Sequence, residues 1–134
     1  MTTDNLNQMY SEIILDYYRK PRNFGTVAKP DAEAHDVNPL CGDDVAVQLK
    51  VKNNKIEEIK FNGEGCAISQ ASTSMLCEYI EGKKVEDIIK MSKEDALELL
   101  GIKLSPARLN CALLGLKVAK LTAYKYLEKQ QIEK

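Results

Sequence analysis

Asp43-Asp-Val-Ala-Val-Gln-Leu-Lys-Val-Lys-Asn-Asn-Lys-Ile-Glu-Glu-Ile-Lys-Phe-Asn62 reads as two β-strands folded about one turn. Val45, Val47, Leu49 and Val51 alternate with Ala46, Gln48, Lys50 and Lys52, the period of a half-buried strand. Asn53 and Asn54 are turn residues, and Ile59 and Phe61 resume the alternation after them. A three-residue connection sets Leu49 opposite Ile59 and Val47 opposite Phe61, so the apolar pairs share a face. Carried down the ladder, this register puts Asp43 opposite Gly65 and brings Cys41-Gly-Asp43 beside Cys66. Both loops then lie at one end of the sheet, which is where a site is expected.

Working outward, residues around Ala34–Asn38 read as a short edge strand, because Pro39 cannot donate to a ladder. Before it, Leu6, Met9, Tyr10, Ile13, Ile14 and Tyr17 fall on one helical face, with Asp4 as N-cap. Pro21 ends that helix and an irregular stretch runs to about Pro30. After the hairpin come three helical patterns, at about Ile68–Glu81, Val85–Leu100 with a break near Met91-Ser92, and Pro106–Glu128. The expected fold is α+β, a single domain over residues 1–134. It has a short antiparallel three-stranded sheet, helices packed on one face and a long C-terminal helix.

Composition narrows the function. A net charge of −1 over 134 residues lacks the counterion-release driving force of a nucleic-acid binder. No apolar run approaches the ~20 residues that span a bilayer. The opening residues Met1 to Gln8 show neither the basic region nor the apolar run of a secretory signal. A cytoplasmic protein is expected, in which the four cysteines serve as thiolates and not as disulfides.

Cys66 follows Gly63-Glu-Gly65 and opens a helix. The glycines permit close backbone approach, and the helix N-terminus favours a thiolate over a thiol. On the last helix, Ser105 suits the N-cap and Pro106 the first turn. Leu109, Leu113, Leu116, Ala119, Ala123 and Leu127 form its expected buried stripe. Cys111 falls roughly opposite Leu109, on a face shared with Arg108 and Gly115. That placement reads as a presented thiol, activated by the Arg108 guanidinium and with room beside it at Gly115. Cys41, Asp43, Cys66 and Cys111 make a tetrahedral set suited to Zn2+, or to iron bridged by sulfide. The carboxylate is the harder and more labile member. Asp43 on its own would read as a turn cap. Cys77 reads as a small core hydrophobe, ~16 Å from Cys66 along a continuous helix. His35 reads as a surface or strand residue.

The segments Asn38-Pro-Leu-Cys-Gly-Asp43, Gly63-Glu-Gly-Cys-Ala-Ile-Ser69 and Pro106-Ala-Arg-Leu-Asn-Cys111 resemble the IscU/SufU family and the N-terminal domain of NifU. Tyr17-Tyr-Arg-Lys-Pro-Arg-Asn-Phe-Gly25 resembles that family's exit from its first helix. The resemblance implies an iron–sulfur cluster assembly scaffold that takes persulfide sulfur from a cysteine desulfurase. It builds a transient [2Fe-2S] cluster on Cys41, Asp43, Cys66 and Cys111 and passes it to apo iron–sulfur proteins. Zn2+ or Fe2+ would fill the cluster-free site, and a homodimer would accompany the cluster. The alternatives are a zinc-dependent sulfurtransferase and a purely structural zinc domain. Only the sulfurtransferase would be an enzyme. Cys111 would receive the persulfide in a scaffold, Cys41 in a sulfur acceptor. Two positions depart from IscU-type chains. Asn110 stands where they carry His, and Leu104-Ser-Pro-Ala-Arg108 where they carry Leu-Pro-Pro-Val-Lys. Arg108 is the SufU-like choice, whereas the absence of an insertion between Cys66 and Cys111 is IscU-like.

Overall fold

The alternating segment forms the middle of the sheet. In a computed structural model, which describes residues 12–39, 42–101 and 103–133, β1 (Ala32–Asn38), β2 (Asp43–Lys52) and β3 (Lys55–Asn62) pair antiparallel in the order β1-β2-β3. Val45, Val47, Leu49, Ile59 and Phe61 point to one face and are fully buried there. Val47 faces Phe61 and Leu49 faces Ile59, as the sequence register requires.

The connection differs from the three-residue one expected. Lys52 pairs with Lys55 across a two-residue turn, and the register shifts between Lys50 and Val51. Asn53 and Asn54 both have positive φ, the requirement of a type I′ hairpin turn, which matches the strand twist. The bulge absorbs the odd residue, so the ladder beyond it keeps the expected pairing. On the far edge of β3, Phe61 exchanges backbone hydrogen bonds with Asn23 and Gly25, at 2.9 and 2.8 Å. The segment leaving the first helix thus covers that edge.

The helices follow as α1 (residues 12–19), α2 (Ala67–Ile80), α3 (Val85–Lys90), α4 (Lys93–Leu100) and α5 (Pro106–Glu133). The break at Met91-Ser92 has a local cause. Ser92 Oγ accepts from Asp95 N–H and the Asp95 carboxylate accepts from Ser92 N–H, a capping box that restarts the helix. Of the stripe expected on α1, Ile14 is buried and Tyr17 half-buried, but Ile13 is 42% exposed. Asp4, Leu6, Met9 and Tyr10 lie outside the described residues. Arg22 stacks on the Tyr17 ring at 4.0 Å, and Tyr17 Oη donates to Glu78 at 2.8 Å, tying α1 to α2.

α5 packs against β1, β2 and α2. Its buried residues are therefore Cys111, Ala112, Leu114, Leu116, Val118, Ala119, Thr122 and Ala123, a wide arc. Leu109, Leu113 and Leu127, three of the six residues expected to form the buried stripe, are only half-buried. Contacts with both the sheet and α2 bury a wide arc, so a single leucine stripe does not describe the helix.

Candidate metal centre

The hairpin positions the first part of the site. Beyond the last regular pair of the ladder, Asp44 N–H donates to the Glu64 carbonyl at 2.7 Å, which extends the β2–β3 register into the glycine loop. Gly63 has φ +130°, and a Cβ there would collide with the Asp44 carbonyl oxygen, so only glycine lets the strands remain this close. Asp43 is carried into the interior at 0% exposure, and its Oδ1 accepts the Cys66 N–H at 2.9 Å. Asp43 therefore caps the turn into α2 and also points a carboxylate at the sulfurs.

Cys66 is the N-cap of α2, its Sγ accepting from Ser69 N–H at 3.4 Å. Sulfur is a weaker capping acceptor than the oxygens usually found there. Cys66 is half-buried.

Cys111 enters from α5. It is fully buried, which corrects the expectation of a presented thiol. Nor is there free space at Gly115. A Cβ there would overlap Thr73 Oγ1 and stand 3.0 and 3.1 Å from Thr73 Cβ and Cα, so Gly115 is where α5 and α2 touch. Arg108 is exposed, three residues before a thiol with no exposure, so the two do not share a solvent face. Asn38, at the end of β1, is buried and directs its Nδ2 at Cys111 Sγ at 3.9 Å. A groove of about 420 Å³ runs past Asn38 and Asn110, with Leu113 on its wall and Lys117 and Lys120 along its rim.

The fold brings Asp43, Cys66 and Cys111 together, with one ligand atom from each within 4.8 Å of the others. Cys41, the fourth member of the sequence-derived set, lies outside the described residues. Asp43 Oδ2 is buried and has no hydrogen-bond partner. A buried carboxylate oxygen without a partner is costly unless a cation meets it. Two sulfurs and a carboxylate at this spacing therefore fit a thiophilic divalent ion. Cys77 is fully buried in the core, and burial pushes its thiol far above the ordinary cysteine range. Among the described residues, the cluster consists of Asp43, Cys66 and Cys111 and does not include Cys77. His35 is an exposed β1 residue whose Nε2 meets Asp44 Oδ1. Asn38 and Ser69 were not singled out from the sequence as site residues. For Ser69 the signal was available, because it lies three residues after a helix-capping Cys, where an N-cap reaches back to the helix.

Comparison with known proteins agrees with this geometry. The NifU-like N terminal domain family matches residues 9–133, and the chain belongs to that family. It is 37% identical to the zinc-dependent sulfurtransferase SufU of Bacillus subtilis, over 84% of this chain and 88% of that one. It is 35% identical to the iron–sulfur cluster assembly scaffold protein IscU 1 of Archaeoglobus fulgidus, over 90% of this chain and 78% of that one. Among solved structures, a candidate SUF-system scaffold from Fervidobacterium islandicum superposes with a TM-score of 0.73 at 28% identity, covering 87% of this chain and 97% of that one. An N-terminal NifU-like protein from Brucella abortus reaches 0.77 at 20% identity, over 92% and 98% of the two chains, and shares the fold. Among the described residues, no helix is long and apolar enough to cross a membrane.

Proposed function

We propose that this NifU-like domain is an iron–sulfur cluster assembly scaffold that holds its cargo on Cys41, Asp43, Cys66 and Cys111. The observation that carries the reading is the convergence of Asp43, Cys66 and Cys111 from three separate elements, together with the buried Asp43 Oδ2, which has no hydrogen-bond partner. Cys41 lies two residues before Asp43 in the chain and supplies the third thiolate. Persulfide sulfur comes from a cysteine desulfurase, a [2Fe-2S] cluster is assembled with iron, and apo iron–sulfur proteins receive it. Thiolates suit the cluster irons, while the single carboxylate is the ligand that yields first to a recipient's cysteine.

A second reading, a zinc-dependent sulfurtransferase, draws support from Asn110, from Arg108 and from the likeness to SufU. In that case the ligands hold Zn2+, and one thiolate leaves the metal to accept sulfur. Thr73 fills the space beside Gly115, so that position gives no argument against a purely structural zinc domain. It is disfavoured by the likeness to scaffold and sulfurtransferase proteins.

Anaerobic reconstitution with iron, cysteine and a cysteine desulfurase separates these. The scaffold gives sulfide-to-iron charge-transfer bands and equal amounts of iron and acid-labile sulfide, all lost in Cys111→Ser. Asp43→Ala should then retain the cluster several-fold longer against a chelator, and faster loss would remove the labile-ligand role. Zinc that iron cannot displace, together with an accelerated desulfurase, would favour sulfur transfer.

A further inference from the structure

Buried hydroxyls on these helices usually turn back onto their own backbone. Ser72 Oγ and Thr73 Oγ1 donate to the Ser69 carbonyl at 3.2 and 2.8 Å, and Thr122 Oγ1 to the Val118 carbonyl at 2.8 Å. Ser69 is different. Its hydroxyl has 0% exposure around it and no hydrogen-bond partner. It looks across Gly65, where a Cβ would stand 3.2 Å from Ser69 Oγ and 2.9 Å from Asp43 Oδ1. Hydroxyl and carboxylate thus border one gap, kept open by the missing side chain at position 65. Among the described residues, the two buried side-chain oxygens without a partner are Ser69 Oγ and Asp43 Oδ2, and both belong to residues flanking that gap.

We propose that Ser69 is a positioning residue for Asp43. Its Oγ–H turns across the Gly65 gap onto Oδ1, joining the Cys66 N–H that already donates there at 2.9 Å. With Oδ1 held by two donors, the carboxylate cannot swing or bind through both oxygens, and Oδ2 alone faces the ion. Residues that orient a metal ligand in this way commonly govern its affinity. The inference rests on the metal-binding reading above, and its test keeps the two separable.

The probe is Co2+, titrated anaerobically into the full chain, read by its thiolate-to-cobalt charge-transfer and ligand-field bands and by competition with a chelator. Ser69→Ala should weaken Co2+ binding by about tenfold, the order seen on removing the partner of a metal ligand. It should also change the ligand-field bands as the carboxylate loses its fixed orientation. In an Asp43→Ala background the same substitution should change nothing further. Gly65→Ala, whose Cβ fills the gap and leaves the hydroxyl in place, should reproduce the loss. Wild-type affinity in Ser69→Ala or in Gly65→Ala overturns the role of Ser69 and leaves the metal site standing. An equal loss with and without Asp43 overturns it too, because the effect would not pass through the carboxylate. No charge-transfer bands in the wild type would overturn the metal reading itself, and Ser69 with it.

Discussion

Replacing Gly115 by Ala sets the helix propensity of α5 against its packing on α2. In an unconstrained helix interior the change stabilises by about 1 kcal/mol. Here the new Cβ overlaps Thr73 Oγ1 and lies 3.0 and 3.1 Å from Thr73 Cβ and Cα. Rotating the Thr73 side chain does not relieve this. Its Oγ1 is tied to the Ser69 carbonyl at 2.8 Å, and its Cα belongs to the backbone of a buried helix. The helices must move apart by some tenths of an ångström. Overpacking costs ~1–3 kcal/mol, and a collision that includes backbone belongs near the top of that range. The net effect is a destabilisation of about 2 kcal/mol, which lowers the Tm of a chain this size by roughly 6–8 °C.

The same displacement reaches the site. Cys111 lies one turn before Gly115 on α5, and Cys66 caps the helix that carries Thr73. Separating α5 from α2 therefore widens the gap between the two sulfurs, and Co2+ affinity should fall with stability. Urea and thermal unfolding followed by circular dichroism give the first quantity, a cobalt titration the second. Thr73→Ala, which removes Oγ1, should recover part of both losses when combined with Gly115→Ala. A Gly115→Ala protein at least as stable as the wild type, with unchanged cobalt affinity, would refute the reasoning. Propensity would then outweigh a contact that did not hold the helices.

Cys77→Ser should spare metal binding while costing about 1–3 kcal/mol in a urea titration, because it buries a hydroxyl in the core. Loss of metal in a variant that still folds would overturn the ligand assignment. Arg108→Ala should leave the alkylation rate of Cys111 in the metal-free protein unchanged, since an exposed guanidinium is paired in sequence with a fully buried thiol. A slower rate, measured by mass spectrometry of the labelled peptide, would restore the activating role that the spacing suggested.

The sheet and half of the site were legible in the chain. Strict alternation at 45–51 fixes which face of β2 is buried, and a one-residue slip would expose Val45, Val47 and Leu49 together. The apolar alternation set Leu49 against Ile59, and from that register Asp43 arrives beside Gly65 and Cys66; the bulge between Lys50 and Val51 reconciles it with the two-residue asparagine turn. These are short-range consequences of a period of two, and each residue has only two faces to choose between. α5 offered no such restriction. Its leucines allow several helical faces, and the one adopted depends on the sheet and the helices it packs against. That is why Cys111 is inside, why Gly115 is a contact and not a space, and why Arg108 stays in solvent. The approach of Asn38 to Cys111 spans 73 positions, and the Ser69 hydroxyl is orphaned only because the sheet, the glycine loop and α2 close around it. Local periodicity determined the strands and the capping loop; the burial of α5, and with it the placement of Cys111, was decided by tertiary packing.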